Sequence, residues 1–460
     1  MINLAKDNKR REFILNGNIF AVVLQISLPL MMLALFNYMA GIIDTIVVAK
    51  HDNNALSSVV MIDQIKNLFS SLGAGLATGG SILVARLIGR NEIDSAQKSA
   101  NTLLTIAVGI ALTLVLLLLP LSKPILRLAN LTEGMIDLGI GYFRVQIFTI
   151  GVALFNSVFL GLEKSRGATT NILVVNLFVM ALKVVLTLVF VKIWHGSTVM
   201  VAVATLCANL TVTFYAVVML CRRNYIFRYS PKNIDFKQPF LKPLVKLSFP
   251  IFLGRFVFSM GKVIVNSLAM NYGDDAPGAL GVSNHISGSV TGVTNSLEDG
   301  SSSVVSQNLG AKQVKRTVQA FWCAIAINAV ISAVGVTLLY TFCEQIAMFF
   351  ADDNPTKAAL IEKIFRYEGL GIVALGVNAA TNGLVYGLGY TKLSMVCNLS
   401  RLFVFRIPAM LIMINCFPSL GAESLGIAMF VSNLGIGLMS VGIAIWCMSR
   451  VKHNAVKDKI

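Results

Sequence analysis

Taken as a pattern of hydrophobic and polar positions, the chain is a series of long apolar runs separated by short polar breaks. A transmembrane helix needs about 20 mostly apolar residues. Runs of that kind fall at 19–49, 57–85, 99–121, 135–161, 171–191 and 198–221, and again at 247–271, 279–309, 318–342, 360–387, 393–416 and 424–448. The pattern therefore predicts an all-α integral membrane protein with twelve transmembrane helices. Several runs exceed a straight crossing, so tilt or kinks are expected. Pro29 and Pro250 are natural kink points, because each removes a backbone donor. Residues 1–18 are polar and basic, and the run after them is too long for a signal peptide's apolar core, so it is expected to stay as the first span.

Composition narrows the class further. Of 460 residues, 56% are hydrophobic and 13% charged. Soluble domains carry roughly 25% charged residues, which excludes a water-soluble globule, and the same apolar content excludes disorder. A net charge of +16 would otherwise point to nucleic acid. Here it is expected to mark loops facing anionic lipid, with the bilayer and not nucleic acid as partner. Twenty-four Lys and Arg lie in the N-terminal segment, alternate loops and the C-terminal tail, against five on the opposite side. The positive-inside rule then places both termini in the cytoplasm, and a plasma membrane, bacterial in character, is the expected setting. The seven cysteines are never three apart and read as small buried hydrophobes. There is no G-x-x-x-x-G-K-[ST], H-E-x-x-H or G-x-S-x-G motif, and the four histidines are scattered. An enzyme is disfavoured, and no cofactor or metal is expected.

The basic segment 222–246 divides the chain into an N-terminal six-helix lobe, 1–221, and a C-terminal six-helix lobe with a basic tail, 247–460. The two resemble each other. Leu28-Pro29 matches Phe249-Pro250, and Gly89 matches Gly310 at an offset of 221. Gly161, Gly167, Thr169, Asn176 and Leu177 match Gly383, Gly389, Thr391, Asn398 and Leu399 at an offset of 222. Six spans per half give both halves the same orientation, so a pseudo-two-fold along the membrane normal is expected, with the site at the interface of the halves.

These features resemble the multidrug and toxic compound extrusion (MATE) transporters. Leu28-Pro29 followed by Ile43-Asp44-Thr45 resembles the family's first-helix pattern, and Leu160-Gly161 through Gly167-Ala168-Thr169 resembles its turn after the fourth span. Gly310-Ala311-Lys312 resembles the ending of its eighth span. The resemblance implies multidrug efflux: export of small organic molecules by antiport against protons or sodium ions, by a chain expected to act as a monomer. It departs from the family at three places. Lys183 stands where many members carry an Asp in the fifth span. Span seven carries Arg255 and Lys262 but no acid, and the stretch 375–378 in span ten has none either. Those are the acids of the sodium-coupled group, so protons are favoured, with Asp44 as the carried-over carboxylate. A flippase for a lipid-linked precursor is the alternative, because a cationic interior suits a pyrophosphate.

Nine basic residues fall within spans, at 66, 144, 183, 255, 262, 363, 366, 401 and 406, against six acids, at 44, 63, 298, 299, 362 and 368. A charge near mid-bilayer costs at least ~2.5–3.5 kcal/mol, so each should meet a partner or a wet cavity. Spacing of three or four predicts local pairs, Asp63 with Lys66 and Glu362 with Arg366. Arg401 and Arg406 are expected near the interface or snorkelling to it. Asp44 and Lys183 have compatible depths for a pair, and are the candidate ion-coupling residues. Arg255 and Lys262, seven apart, share one helix face. Arg255 is expected to pair across helices with Glu298 and Asp299, while Lys262 lines the substrate cavity. His285, in the polar span eight, either contacts substrate or makes a helix contact. Asp44, Lys183, Arg255, Lys262, His285, Glu298 and Asp299 together form the candidate cavity.

Overall fold

The computed structural model describes all residues except 1, 52, 129–132, 191–197, 237, 274, 352–353 and 457–460. The side chains of 2–5, 42–51, 53–61, 64, 198, 238–240 and 454–456 also lie outside the described set. The helices are α1 Ile2–Asn16, α2 Ile19–His51, α3 Asn53–Gly89, α4 Ile93–Leu118, α5 Ser122–Leu128, α6 Glu133–Ser165, α7 Thr169–Leu188 and α8 Thr198–Cys221. After the basic linker follow α9 Gln238–Ala269, α10 Ala276–Gly310, α11 Val314–Thr341, α12 Cys343–Phe350, α13 Pro355–Glu368, α14 Ile372–Gly387, α15 Thr391–Leu399, α16 Ile407–Cys416 and α17 Glu423–Val456. In hydrocarbon every backbone N–H must find its acceptor within the segment, which leaves the helix as the element for such runs.

Among the described residues, eleven helical stretches are long and apolar enough to cross a membrane, α13 with α14 making one crossing and α15 with α16 another. The twelfth predicted crossing is α10. It is 35 residues long but rich in Ser, Thr, Asn and Gly, and most of its length is buried in protein. That resolves its polarity, since a polar helix is tolerated where other helices cover it. The reverse holds on the outside. Leu116, Phe214, Val330 and Leu438 are 64–72% exposed, as side chains facing lipid should be. The chain thus has the twelve-helix membrane fold that the hydrophobic pattern predicts.

Packing divides the chain into two units. One comprises Met1–Phe13 with Leu35–Phe252, the other Ile14–Ala34 with Leu253–Ile460. This differs from a simple cut at 221 and 247. The first part of α2 packs with the second half of the chain, and the first part of α9 with the first half. Small residues are the reason. A Cβ on Gly300 of α10 would fall 2.9 Å from Ser27 Cα of α2, and one on Gly79 of α3 would fall 2.7 Å from Ser248 Cα of α9. Ser27 and Gly79 stand 221 residues before Ser248 and Gly300, so the repeat uses the same notch twice. The duplicated halves and the packing units are therefore not the same residues.

Other matched positions do matched work. Gly167 and Gly389 both adopt positive φ, 73° and 77°, in the turns after α6 and α14. Gly161 lets α6 approach the α3 backbone at Ala77, and Gly383 lets α14 approach α10 at Glu298 and Ser301.

A buried ionic cluster anchors one end of the first unit. Arg166 donates to both Glu163 carboxylate oxygens at 2.9 and 2.7 Å, and to Asp7 of α1 at 2.7 Å. Tyr225 of the linker donates its hydroxyl to Glu163 at 2.5 Å. The Arg166 guanidinium lies 5.0 Å from the Tyr225 ring centroid. Burial and the Glu163 charge push the Tyr225 hydroxyl well above the usual tyrosine range. Burial opposes the Arg166 charge, but Glu163, Tyr225 and Asp7 together hold it above the usual arginine range. Arg11 of α1 caps the C-terminus of α3 by donating to the Ile88 and Gly89 carbonyls at 2.8 and 3.0 Å. The basic N-terminal segment is thus built into the first unit through specific bonds.

Candidate functional site

The second unit holds most of the charged side chains singled out from the sequence, and α9 organises them. Arg255, Phe258 and Lys262 are spaced three and four apart, which puts them in one line along α9. Arg255 reaches the buried carboxylate of Glu298 on α10 at 3.6 Å. Tyr386 of α14 and Asp299 also act on its guanidinium. Ser394 donates to the Tyr386 hydroxyl at 2.8 Å, which holds that side chain in place. The cross-helix pair expected from the depths of Arg255 and Glu298 is present.

Further along the same line lies a second group, with a surplus of positive charge. The charge centres of Arg401 and Arg406 lie 5.0 and 5.6 Å from the Phe258 ring centroid, and the Lys262 ammonium lies 5.8 Å from it. Arg401 and Arg406 both donate to Asn433 Oδ1 of α17, at 2.8 and 3.2 Å. Arg406 also donates to Ser432 at 3.3 Å. A neutral amide oxygen satisfies donors without cancelling charge. Among the described residues, the carboxylate that acts on the two arginines is Glu368, at the end of α13, which accepts from Ser283 of α10 at 2.5 Å.

Arg401 and Arg406 do not snorkel. Arg406 is 3% exposed and Arg401 half-buried, within the helix packing of the unit. The reason is local. Residues 400–406 form a π-helical segment between α15 and α16. Positions five apart diverge by about 140° on an α-helix at 3.6 residues per turn. In a π-helix, with i to i+5 bonds, they stack roughly one turn apart. Both arginines therefore face Phe258. Gly254 and Gly261, seven apart on α9, allow the approach: a Cβ on the first would lie 3.1 Å from Met395 Cα, and on the second 2.6 Å from Leu402 Cδ1. Their signal in the sequence was two arginines five apart in one span, which α-helical periodicity does not connect.

The remaining candidates are placed separately. His285 is exposed on α10, its ring 5.8 Å from that of Phe350. Lys183 is half-buried on α7 of the first unit. The Asp44 side chain lies outside the described residues, and with it the Asp44–Lys183 pair. The local pairs are formed: Lys66 with Asp63 at 2.6 Å and Arg366 with Glu362 at 2.8 Å.

The MatE family model matches residues 29–189 and 250–412, once in each repeat. The chain belongs to the MatE family. It is a multi-pass membrane transporter of the MATE type. Curated relatives include the probable multidrug resistance proteins YoeA and YpnP of Bacillus subtilis. The first is 23% identical over 66% of this chain and 67% of its own length, the second 21% over 85% and 88%. The multidrug export protein MepA of Staphylococcus haemolyticus is 18% identical over 81% and 82%. Among solved structures, MATE in complex with MaL6 has a TM-score of 0.91 at 20% identity, covering 96% of this chain and 99% of its own. A MOP superfamily transporter from Pyrococcus furiosus has 0.91 at 19%, covering 96% and 98%; the reverse polarity of its binding pocket is described as suggesting a different function. At these identities the solved structures speak for the fold of this MatE chain, and its chemistry rests on its own residues.

Proposed function

We propose that this MatE protein is a secondary antiporter that exports small organic molecules by alternating access, working as a monomer with both termini in the cytoplasm of a bacterial plasma membrane. The observation that carries the reading is the paired MatE match, one in each repeat, on a chain with no motif for direct use of ATP. Protons are the coupling ion. Asp44 is the carboxylate that gains and loses one, and Lys183 is its charge partner. Everted vesicles with imposed gradients test this. Expected is uptake driven by a proton gradient. Uptake driven by sodium at constant pH, with no response to protons, refutes proton coupling.

The substrate is anionic, zwitterionic or neutral and polar. Support comes from the surplus of positive side chains in the spans, since a bulky cation would meet repulsion in an incompletely screened cavity. The Pyrococcus furiosus transporter of this fold is itself described as having a binding pocket of reverse polarity. Arg255 and Lys262 are the contacts, with His285, Glu298 and Asp299 as further lining. Lys262→Ala is expected to weaken transport of such a substrate more than it lowers thermal stability. Ethidium efflux by the unmodified protein, undiminished in that variant, would sink the assignment. The cationic group around Phe258 also favours the second reading, a flippase for a pyrophosphate-linked lipid. A groove open sideways to lipid separates it from an exporter.

A further inference from the structure

We infer that Arg401, Arg406 and Lys262, gathered around Phe258 inside the second unit, form a binding site for a doubly charged oxyanion, a phosphate monoester or a dicarboxylate. This rests on the transporter reading only for what becomes of the ligand.

Three observations converge. The first is charge. Three cations lie 5.0–5.8 Å from one ring centroid, and the charges acting on Lys262 are Arg406 and Arg401, both of its own sign. Glu368 is the carboxylate acting on the arginines among the described residues. The group therefore carries two positive charges more than it balances. Arg401 is ten residues from Thr391 and Arg406 ten from Cys416, so each sits roughly 15 Å inside its crossing at 1.5 Å per residue. Concentrated like charge at that depth is stable once a dianion completes it.

The second is geometry. Asn433 and Ser432 hold one side of the guanidinium pair, and Phe258 supports it by cation–π contact. The Nε–H of Arg401 is buried with no hydrogen-bond acceptor among the described residues. A buried donor of that kind calls for an acceptor, and guanidinium forks match the paired oxygens of carboxylate and phosphate. The third is access. Lys262 is exposed and Arg401 half-buried, whereas Arg406 is closed in. An anion can therefore reach the group from the Lys262 side. Lysine then acts as the outer point charge and the arginines as the inner fork.

The oxyanion can belong to a soluble metabolite or to a lipid headgroup, and the test separates them. Binding of inorganic phosphate at pH 8 and of succinate to the purified full-length protein is measured by calorimetry, with tetraphenylphosphonium as the cationic control. In a parallel arm the protein is placed in nanodiscs with phosphatidic acid or with phosphatidylcholine alone. Saturable one-to-one binding of at least one dianion is expected, with no binding of the cation. Lys262→Ala, an exposed change that spares the fold, should weaken it about tenfold, the loss of one charged hydrogen bond. Arg401→Lys should weaken it several-fold, because the fork is lost while the charge is kept. Glu368→Gln should tighten it, a readout that a merely structural role would not move. Binding of phosphatidic acid alone identifies a lipid source, and binding of phosphate or succinate a soluble one. A folded protein that binds none of the three overturns the site. So does binding that is equal in Lys262→Ala, Arg401→Lys and Glu368→Gln. Proteoliposome transport is scored separately. Intact anion binding without any transport would refute the transporter reading and leave the site standing, and transport without anion binding would do the reverse.

Discussion

At the scale of single residues, buried charge decides the consequences of substitution. Glu163 is 1% exposed and takes a bidentate arginine together with a tyrosine hydroxyl. Glu163→Gln leaves Arg166 with Asp7 alone, and removing one partner of a buried pair costs about 3–5 kcal/mol. Glu163→Gln with Arg166→Met should recover part of that, because the guanidinium is gone and Asp7 keeps Arg10 at 3.3 Å. Thermal unfolding in detergent reads both, and a double variant no more stable than the single would contradict the account. Tyr225 makes a prediction about pH. Its folded-state pKa lies above the unfolded value of about 10. Its contribution is therefore complete below that value and is lost as pH rises toward the folded pKa. Tyr225→Phe should cost roughly 1–2 kcal/mol near neutrality through the lost hydrogen bond. The gap between the two proteins should narrow above pH 10. A constant gap from pH 7 to 11 would show that the hydroxyl's ionisation is not coupled to folding.

At the scale of elements, close helix approach is the recurrent device. Gly300 and Gly79 let serines of α2 and α9 seat against α10 and α3. Gly300→Ala places a methyl group 2.9 Å from the Ser27 backbone, so the helices must separate. Overpacking of that kind costs about 1–3 kcal/mol. Gly79→Ala, against Ser248, should cost a similar amount, since the two notches are repeats of one another. Unfolding midpoints of the two variants, compared with Gly109→Ala, test this. A Cβ at Gly109 meets nothing within 4 Å, so that change should be neutral or stabilising. Equal midpoints for all three would remove the notches as packing determinants. The sequence made these helices legible, because runs of about 20 apolar residues have one solution in a bilayer. It also made the repeat legible, through Gly161 with Gly383 and Gly167 with Gly389. Which half each helix segment packs against was not legible, because Ser27 and Ser248 are unremarkable until their facing glycines are known.

At the scale of the whole molecule, the proposed antiport requires a group that gains and loses a proton as substrate moves. That role is proposed for Asp44, the carboxylate of the Ile43-Asp44-Thr45 stretch that resembles the family's first-helix pattern. Asp44→Asn should abolish coupled transport in vesicles while expression and folding persist, since an amide cannot cycle a proton. If Asp44 served only to neutralise Lys183, Asp44→Asn with Lys183→Met would restore transport. That restoration would rule out a coupling role.

Span number, the absence of ATP-binding motifs, the two-fold repetition and the excess of positive charge were all determined by the sequence alone. Each depends on composition, on run length or on matches at a constant offset along the chain, and within one helix a period of 3.6 residues links neighbours. The pairing of Asp63 with Lys66 and of Glu362 with Arg366 belongs to that class, as does the match of Arg255 to Glu298, which needed only helix depth. The exchange of helix segments between the packing units was decided by tertiary structure. So was the gathering of Arg401, Arg406 and Lys262 around Phe258. A π-helical turn re-aimed two arginines that α-periodicity sends to different faces, and glycines on α9 brought an aromatic ring beneath them. Local spacing carries no information about a neighbour more than a hundred residues away. That information appears only when packing chooses which faces meet.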